Sequence, residues 1–465
     1  MPSHERLPRP DEGRGATDDD DQECAMTMTT RSRLRAATAG AACVALALTG
    51  CSTSSSGASK ATTGVTITVA LASDPPAAAA LAEFTKQTGI KVNWTNLDWD
   101  SLQTKIASAA SAKTYFADAT DVDWSRVGQL GKLGWFYPME DYVDTKTMAA
   151  DVPQLSSFTS GGHVVGVPYD ASFFTTTVNT AMFAKAGITA MPTTIDAYTK
   201  DLALLKAKGV VQYPLDIPFA AAEGLSTTWY QVTGAYGGSI LDGAGKPQFT
   251  SPDSPGYKAA EWMISTLKTG LVPPGNINVT DTQGQQLMAK GQVASLFADY
   301  SGSVGSLYET PSASKVVKQV VYITTPGATG PGPNLGNPDG IGIPRQAKYP
   351  AAAAKFVDWF TSAANQTAFA GLDGPSKAWT GYTFPSRLTA VAQLTSKGQL
   401  VQGGKLSTFL KTSARPVFPQ GAPSWYPQFS NAVYTNLHAA ATGSKSVPDA
   451  MKAIAAVANQ LSSGS

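Results

Sequence analysis

No cysteine occurs after position 51 in this 465-residue chain, whose three cysteines are Cys24, Cys43 and Cys51. The long remainder therefore has no disulfide, no thiolate metal site and no cysteine nucleophile, so a packed core has to stabilise it. Histidine is nearly as scarce. In the body only His163 and His438 occur, in unrelated segments and without an H-E-x-x-H pair, and both read as structural. Charge is low too: Asp, Glu, Lys and Arg make up 15% of the residues and the formal net charge is +1. No basic stripe is visible, which argues against nucleic acid as a partner. The apolar run Ala36–Leu48, at about 1.5 Å per residue, falls short of the ~30 Å hydrocarbon core of a bilayer. The sequence contains no G-x-S-x-G. Ser265–Lys268 matches S-x-x-K and Lys268–Gly270 matches K-T-G, but both use Lys268 at one expected helix end, whereas the penicillin-binding enzymes hold them on separate elements. No cofactor and no metal is expected.

What is present begins at the N-terminus. Arg31, Arg33 and Arg35 precede the short apolar run, giving the charged and apolar parts of a secretory signal. Leu48-Thr49-Gly50-Cys51 closes that run and resembles the lipobox of bacterial lipoproteins. The resemblance implies that the Cys51 thiol carries a diacylglycerol and becomes the mature N-terminus, so that the body works outside the cytoplasm, anchored to the cell membrane. Residues 1–25, with Asp18 to Asp21 in a row, fit no signal and read as disordered or as a misassigned start. Residues 26–50 form the signal, and 51–64 the lipidated cysteine with a Ser-, Thr-, Gly- and Ala-rich flexible linker.

About 400 residues remain, enough for two domains. Thr66–Leu71 predicts a strand, followed by a helix that Gly89 stops. Lys91–Trp94 is the next expected strand, Leu102–Ala112 the next helix, and a short strand then leads into Asp121-Val122-Asp123-Trp124. Alternating strands and helices predict an α/β fold with mainly parallel sheets. Ligands in such folds meet the carboxyl ends of strands, which singles out Asp74 and the Asp121–Trp124 loop. Further along, strands are expected at Val293–Ala298, ending at Asp299-Tyr300, at Val316–Ile323 and at Gly340–Ile343. Helices are expected at Ser226–Ala235, Asp281–Lys290, Pro350–Ser362, Tyr426–Ala441 and Val447–Leu461.

The order of several segments carries a family resemblance. Gly134-Trp135-Phe136-Tyr137-Pro138-Met139, Gly162 to Asp170 with its Gly166-Val167-Pro168 core, Val178-Asn179 to Gly187-Ile188, Met191-Pro192-Thr193-Thr194 and the helix Pro350 to Gln366 occur in sequence. Together they resemble the extracellular solute-binding proteins of family 1, the maltose-binding type that serves ABC importers; Ile195 departs from the Trp often found there. The resemblance implies a periplasmic-binding-protein-like fold of two α/β lobes joined by hinge strands, with the ligand cleft between them. It implies lobe 1 from 65–172 plus 341–388 and lobe 2 from 173–340 plus 389–465. It also implies a monomer that captures a carbohydrate, expected to be a small oligosaccharide, and delivers it to ABC permease subunits.

Sugars offer hydroxyls at their rim and apolar C–H faces, so a binding site calls for aromatic platforms beside hydrogen-bonding groups. From lobe 1 the candidates are Asp74, Asp121, Asp123, Trp124 and Arg126. Further candidates are Asp170, Trp229, Tyr230, Asp299, Tyr300 and Trp425, with Tyr426, Asn337, Asp339, Asp373 and Trp379 behind them. A helix cap at Asp74, a surface ion pair at Asp123 or Arg126, and core packing at Trp229 and Tyr230 are the competing roles. Two other functions stay open. A carbohydrate-active hydrolase would need a carboxylate pair, and no motif singles one out. A polyamine receptor of the same fold would use the same acids and aromatics.

Overall fold

The computed structural model describes residues 59–370 and 384–464. The anchor sequence with Cys51, and the candidates Asp373 and Trp379, lie outside them. Nine strands build two sheets. In chain order they are Thr66–Leu71 (β1), Lys91–Asn96 (β2), Ala119–Asp123 (β3), Val167–Asp170 (β4), Phe174–Asn179 (β5), Leu215–Asp216 (β6), Ser295–Tyr300 (β7), Val320–Ile323 (β8) and Asp339–Gly342 (β9). The first sheet runs β2-β1-β3-β9-β4 and the second β8-β5-β7-β6. β1 is parallel to β2 and β3, whereas β9 enters antiparallel between β3 and β4. In the second sheet β5 is antiparallel to β7 and β8, and β6 lies parallel to β7. Each sheet carries one α/β lobe.

The first lobe is assembled from amphipathic pieces. β1 buries Ile67, Val69 and Leu71, and helix α1 (Ala78–Thr88) adds Phe84 to the same core. Gly89 ends α1 in the left-handed conformation that glycine adopts without strain. The expected helix beyond Pro350 is present as Pro350–Phe360 and packs Phe356 and Phe360 into this core. A fully buried side chain of that size contributes about 1.5–3 kcal/mol, and Phe84 meets Phe356 edge-on at 5.5 Å.

Four further helices position residues between the lobes: Trp99–Ala112 (α2), Val127–Lys132 (α3), Glu223–Ala235 (α4) and Asp281–Ala289 (α5), together with Tyr426–Ala441 (α6) near the C-terminus. α4 is buried along its whole length from Leu225 to Ala235, wedged against α6 and the second sheet. The chain leaves the first sheet after Asp170 and enters the second at Phe174. It returns through Gly336–Pro338, and by Asp339 it is already paired with both β3 and β4. Among the described residues no helix is long and apolar enough to cross a membrane.

The lobes approach closely at one place. A Cβ on Gly128 of α3 would lie 2.1 Å from the Ala422 carbonyl oxygen, so glycine is what allows α3 to reach the chain before α6. Trp124 bridges the same gap, its ring 5.6 Å from Tyr426 and 6.3 Å from Phe418.

Candidate functional site

Between the lobes lies a cavity of about 500 Å³. Its wall is supplied by the carboxyl ends of strands and by the N-terminal turns of three helices. Asp98 caps α2, its carboxylate accepting from the Ser101 N–H at 3.0 Å, and this turn delivers Trp99 and Asp100 to the cavity. α4 brings Glu223 and Gly224, and Thr280 with Asp281 comes from the start of α5, where Thr280 and Gln283 form a capping box. Acidic residues in a first turn complement the positive end of the helix dipole. Asp100, Glu223 and Asp281 therefore have a local reason to be where they are.

The floor has no such local reason. In the register of the first sheet Asp339 on β9 pairs with Asp123 on β3 and, on its other side, with Asp170 on β4. Three aspartates thus stand in one row across three adjacent strands, and all three line the cavity. Like charges directly opposite on neighbouring strands repel. Asp123 is held by the Ser125 N–H at 2.7 Å and the Ser125 hydroxyl, and by Trp99 Nε1 at 3.2 Å. Asp170 accepts from the Ser172 N–H at 2.7 Å and the Ser172 hydroxyl at 2.9 Å. Burial, reinforced by Asp121, Asp123 and Asp170, pushes the Asp339 carboxyl well above the usual carboxylate range.

Aromatic faces complete the enclosure. Trp99, Trp124 and Tyr300 all line the cavity. Trp124 Nε1 donates to Asn337 Oδ1 at 2.8 Å, tying the first lobe to the returning hinge segment. The Tyr300 hydroxyl donates to Asp281 Oδ2 at 2.5 Å. Arg126 stands to one side, its guanidinium 5.2 Å from the Trp99 ring centre and 5.6 Å from that of Tyr426, lining a separate hollow beside α2. Beyond Trp124 a further hollow of about 330 Å³ is lined by Gln154, Arg415, Phe418 and Gln420.

Of the candidates read from the sequence, Asp123, Trp124, Asp170, Tyr300, Asn337 and Asp339 meet at this cavity. Others do not, and packing explains each case. Asp74 hydrogen-bonds Asn96 Nδ2 at 2.8 Å beside the end of β2. Asp121 points to the same side of β3 as Asp123 but is buried behind it, accepting from Gln103 at 2.6 Å and Tyr169 at 3.4 Å; burial, then the neighbouring Asp123, raises its carboxyl to about 8. Trp229 and Tyr230 belong to the core: Trp229 donates to the Gly256 carbonyl at 2.8 Å and packs on Phe249, and Tyr230 stacks parallel to Phe429. Asp299 is sealed within the second lobe. Trp425 packs on Phe429 and lines a small hollow with Gly245 and Ser462. Tyr426 is fully buried and donates its hydroxyl to Glu223.

Trp99, Asp100, Glu223 and Asp281 were not among the candidates. The signal for Trp99 was present, since Asp98 three residues before Ser101 is a helix cap. Placing the helix start at Leu102 hid it. Placing the start of α4 at Ser226 hid Glu223 in the same way.

Comparison with known proteins agrees with this architecture. A family model described as bacterial extracellular solute-binding protein matches residues 71–367, and the chain belongs to that family. The fold recurs in solved structures. Maltose-bound MalE3 of T. maritima superposes with a TM-score of 0.73 at 19% identity, covering 85% of this chain and 100% of that one. A ribitol-bound ABC transporter solute-binding protein from Agrobacterium radiobacter gives 0.74 at 22% identity, covering 86% and 99%. A D-mannitol-bound relative from Agrobacterium vitis gives 0.71 at 22%, covering 85% and 98%. No curated protein sequence matched.

Proposed function

We propose that this protein is the receptor of an ABC importer for a carbohydrate, a small oligosaccharide, which it binds between its lobes and delivers to the permease subunits. The observation that carries the proposal is the interlobe cavity itself, where Trp99, Trp124 and Tyr300 present aromatic faces among hydrogen-bonding groups. Aromatic faces meet the C–H surfaces of a sugar, and carboxylates and amides accept from its hydroxyls. The named ligands of three similar folds, maltose, ribitol and D-mannitol, are polyhydroxylated and support the same class.

In this reading residues 65–172 with 341–388 and residues 173–340 with 389–465 are the lobes, and they close over the solute as a hinge. Asp123, Trp124, Asp170 and Tyr300 contact it, joined by Trp99, Asn337 and Asp339. Micromolar affinity, about −8 kcal/mol, corresponds to roughly eight contacts of ~1 kcal/mol each. No bond of the solute is broken. The signal sequence and lipobox support export of the protein and its anchoring to the cell membrane through lipidated Cys51.

A thermal-shift screen of the purified protein against mono- and oligosaccharides, polyamines and amino acids tests this. A ligand at one hundred times its Kd adds about 2.7 kcal/mol to stability, and the sugar should be recovered intact. A sugar consumed during the assay would replace the receptor with a hydrolase. No response to any sugar would end the carbohydrate reading.

A further inference from the structure

The edge of the first sheet away from the cleft carries its own chemistry. β1 and β2 run parallel with Thr66 beside Lys91, so both strands begin at that edge. The helices linking these parallel strands bring the chain back to it, α1 ending at Thr88 and α2 at Ala112. β9 runs antiparallel to β3 and delivers residues 343–349 to the same edge, ahead of the helix Pro350–Phe360. Hydrogen bonds knit these ends into one surface. The Ser59 N–H donates to the Lys348 carbonyl and the Gly64 N–H to the Gly89 carbonyl, both at 2.9 Å. Lys355 Nζ donates to the Thr62 carbonyl at 3.3 Å, and Lys348 Nζ lies 4.1 Å from the Tyr115 ring centre.

Lys60, Lys86, Lys91, Lys113, Lys348 and Lys355 stand on this surface, and all six are exposed. The segments that build it, residues 59–65, 83–91, 111–118 and 343–355, add Arg345 and contain only two carboxylates, Glu83 and Asp118. Asp118 is 1% exposed and is spent internally, accepting from the N–H groups of Thr68, Lys348 and Tyr349. Glu83 faces Lys86 at 3.5 Å. Most of the positive charge is therefore unopposed within these segments. At the other edge of the sheet β3 ends with Asp123, in its row with Asp170 and Asp339. A lobe charged in this way is drawn base-first to an anionic surface, its acidic edge turned outward.

The chain also enters the fold here. Ser59 is the first described residue, and Cys51 lies eight positions before it. At no more than about 3.6 Å per residue, a lipid on Cys51 stays within about 29 Å of the lysines. An acyl anchor and a basic patch are the two signals that together hold a protein stably on a bilayer.

We propose that this lysine surface docks on anionic phospholipid headgroups, so that the anchored protein rests with the base of its first lobe on the membrane and its cleft facing away. The inference rests on the lipid-anchor reading above and gives the anchored receptor an orientation.

Lysine-acetylation footprinting, read by mass spectrometry, tests this on the mature lipid-modified protein. The protein is reconstituted in vesicles of phosphatidylcholine alone or of equal parts phosphatidylcholine and phosphatidylglycerol. On the anionic vesicles the six lysines are expected to react at least about threefold more slowly than on the neutral ones, and added salt should remove the difference. Lys200, Lys258 and Lys452, exposed on helices of the second lobe, should react alike on both. Lys91→Gln, Lys348→Gln and Lys355→Gln together should return Lys60, Lys86 and Lys113 to their rates on neutral vesicles. Equal rates on the two vesicle types would overturn the inference. So would equal protection on both, which the tether alone produces, or protection centred on the lysines of the second lobe. The mass of the purified chain reads Cys51 separately. A chain without lipid would end the anchor reading and this inference with it, whereas equal rates on a lipid-bearing chain would end the docking surface alone.

Discussion

Asp299 and Asp339 sit at comparable places in the two sheets, each a buried or half-buried aspartate at the end of a strand beside the cleft, yet their surroundings are opposite. Asp299 is fully buried and accepts from Thr177 at 2.7 Å, Tyr308 and Gln285 at 2.9 Å and the Tyr300 N–H at 2.8 Å. Its lone pairs are spent on its own lobe. Asp339 has aspartates on both flanking strands and opens on a cavity. A strand end therefore does not make an acid a ligand contact. The supply of protein donors around it differs, and the same residue type is spent on internal hydrogen bonds at one strand end and lines the cavity at the other.

The contrast can be broken most forcefully at Asp299. Asp299→Ala leaves Thr177, Tyr308 and Gln285 without their buried acceptor, and unfolding in denaturant should show a loss of about 3 kcal/mol. A loss below about 1 kcal/mol would mean the acid is not structural. Next comes Trp99→Ala on the cleft side. Ligand affinity by titration should fall about tenfold, the worth of one aromatic contact, while denaturation stays close to that of the parent because Trp99 is only partly buried.

A pH series sharpens the difference between sealed and open acids. Burial holds Asp216 up at about 7 and Asp121 at about 8, against about 3.9 in an unfolded chain. Both keep their proton in the folded protein after the unfolded chain has released it. The stability they contribute is complete below about pH 4 and is lost as pH rises towards about 8. The melting temperature should be a few degrees higher at pH 5 than at pH 8, and Asp121→Asn should flatten that slope. The smallest effect belongs to Asp74, which hydrogen-bonds Asn96 outside the cleft wall. Asp74→Ala should change ligand affinity less than twofold, and a tenfold loss would return it to the site.

Much of the fold was legible before any coordinates. The alternation in Thr66–Leu71, the apolar face of Pro350–Phe360 and the order of the family segments all lead to two α/β lobes, and the observed elements agree with them. The site was legible in part. Asp123 and Trp124 follow a strand and lie where strand ends meet a ligand. Trp229 and Tyr230 misled because α4 is buried on every side. Helical periodicity names the face of a half-buried helix, but carries no such information when all faces are covered. Asp339 was expected in a loop before a strand at Gly340, and one residue of difference makes it the first rung of β9.

By itself the sequence determined the α/β class, the run of strands and helices and the apolar groups that form the cores, because hydrophobic periodicity and turn residues act between near neighbours. It also carried a charged and apolar run, closed by Cys51, that resembles an export signal. Only the tertiary structure decided that residues 123, 170 and 339 form one row. That row depends on strand register between segments far apart in the chain, and on which donors each lobe spends internally. Neither quantity is written in any local window, and both set the chemistry of the cleft.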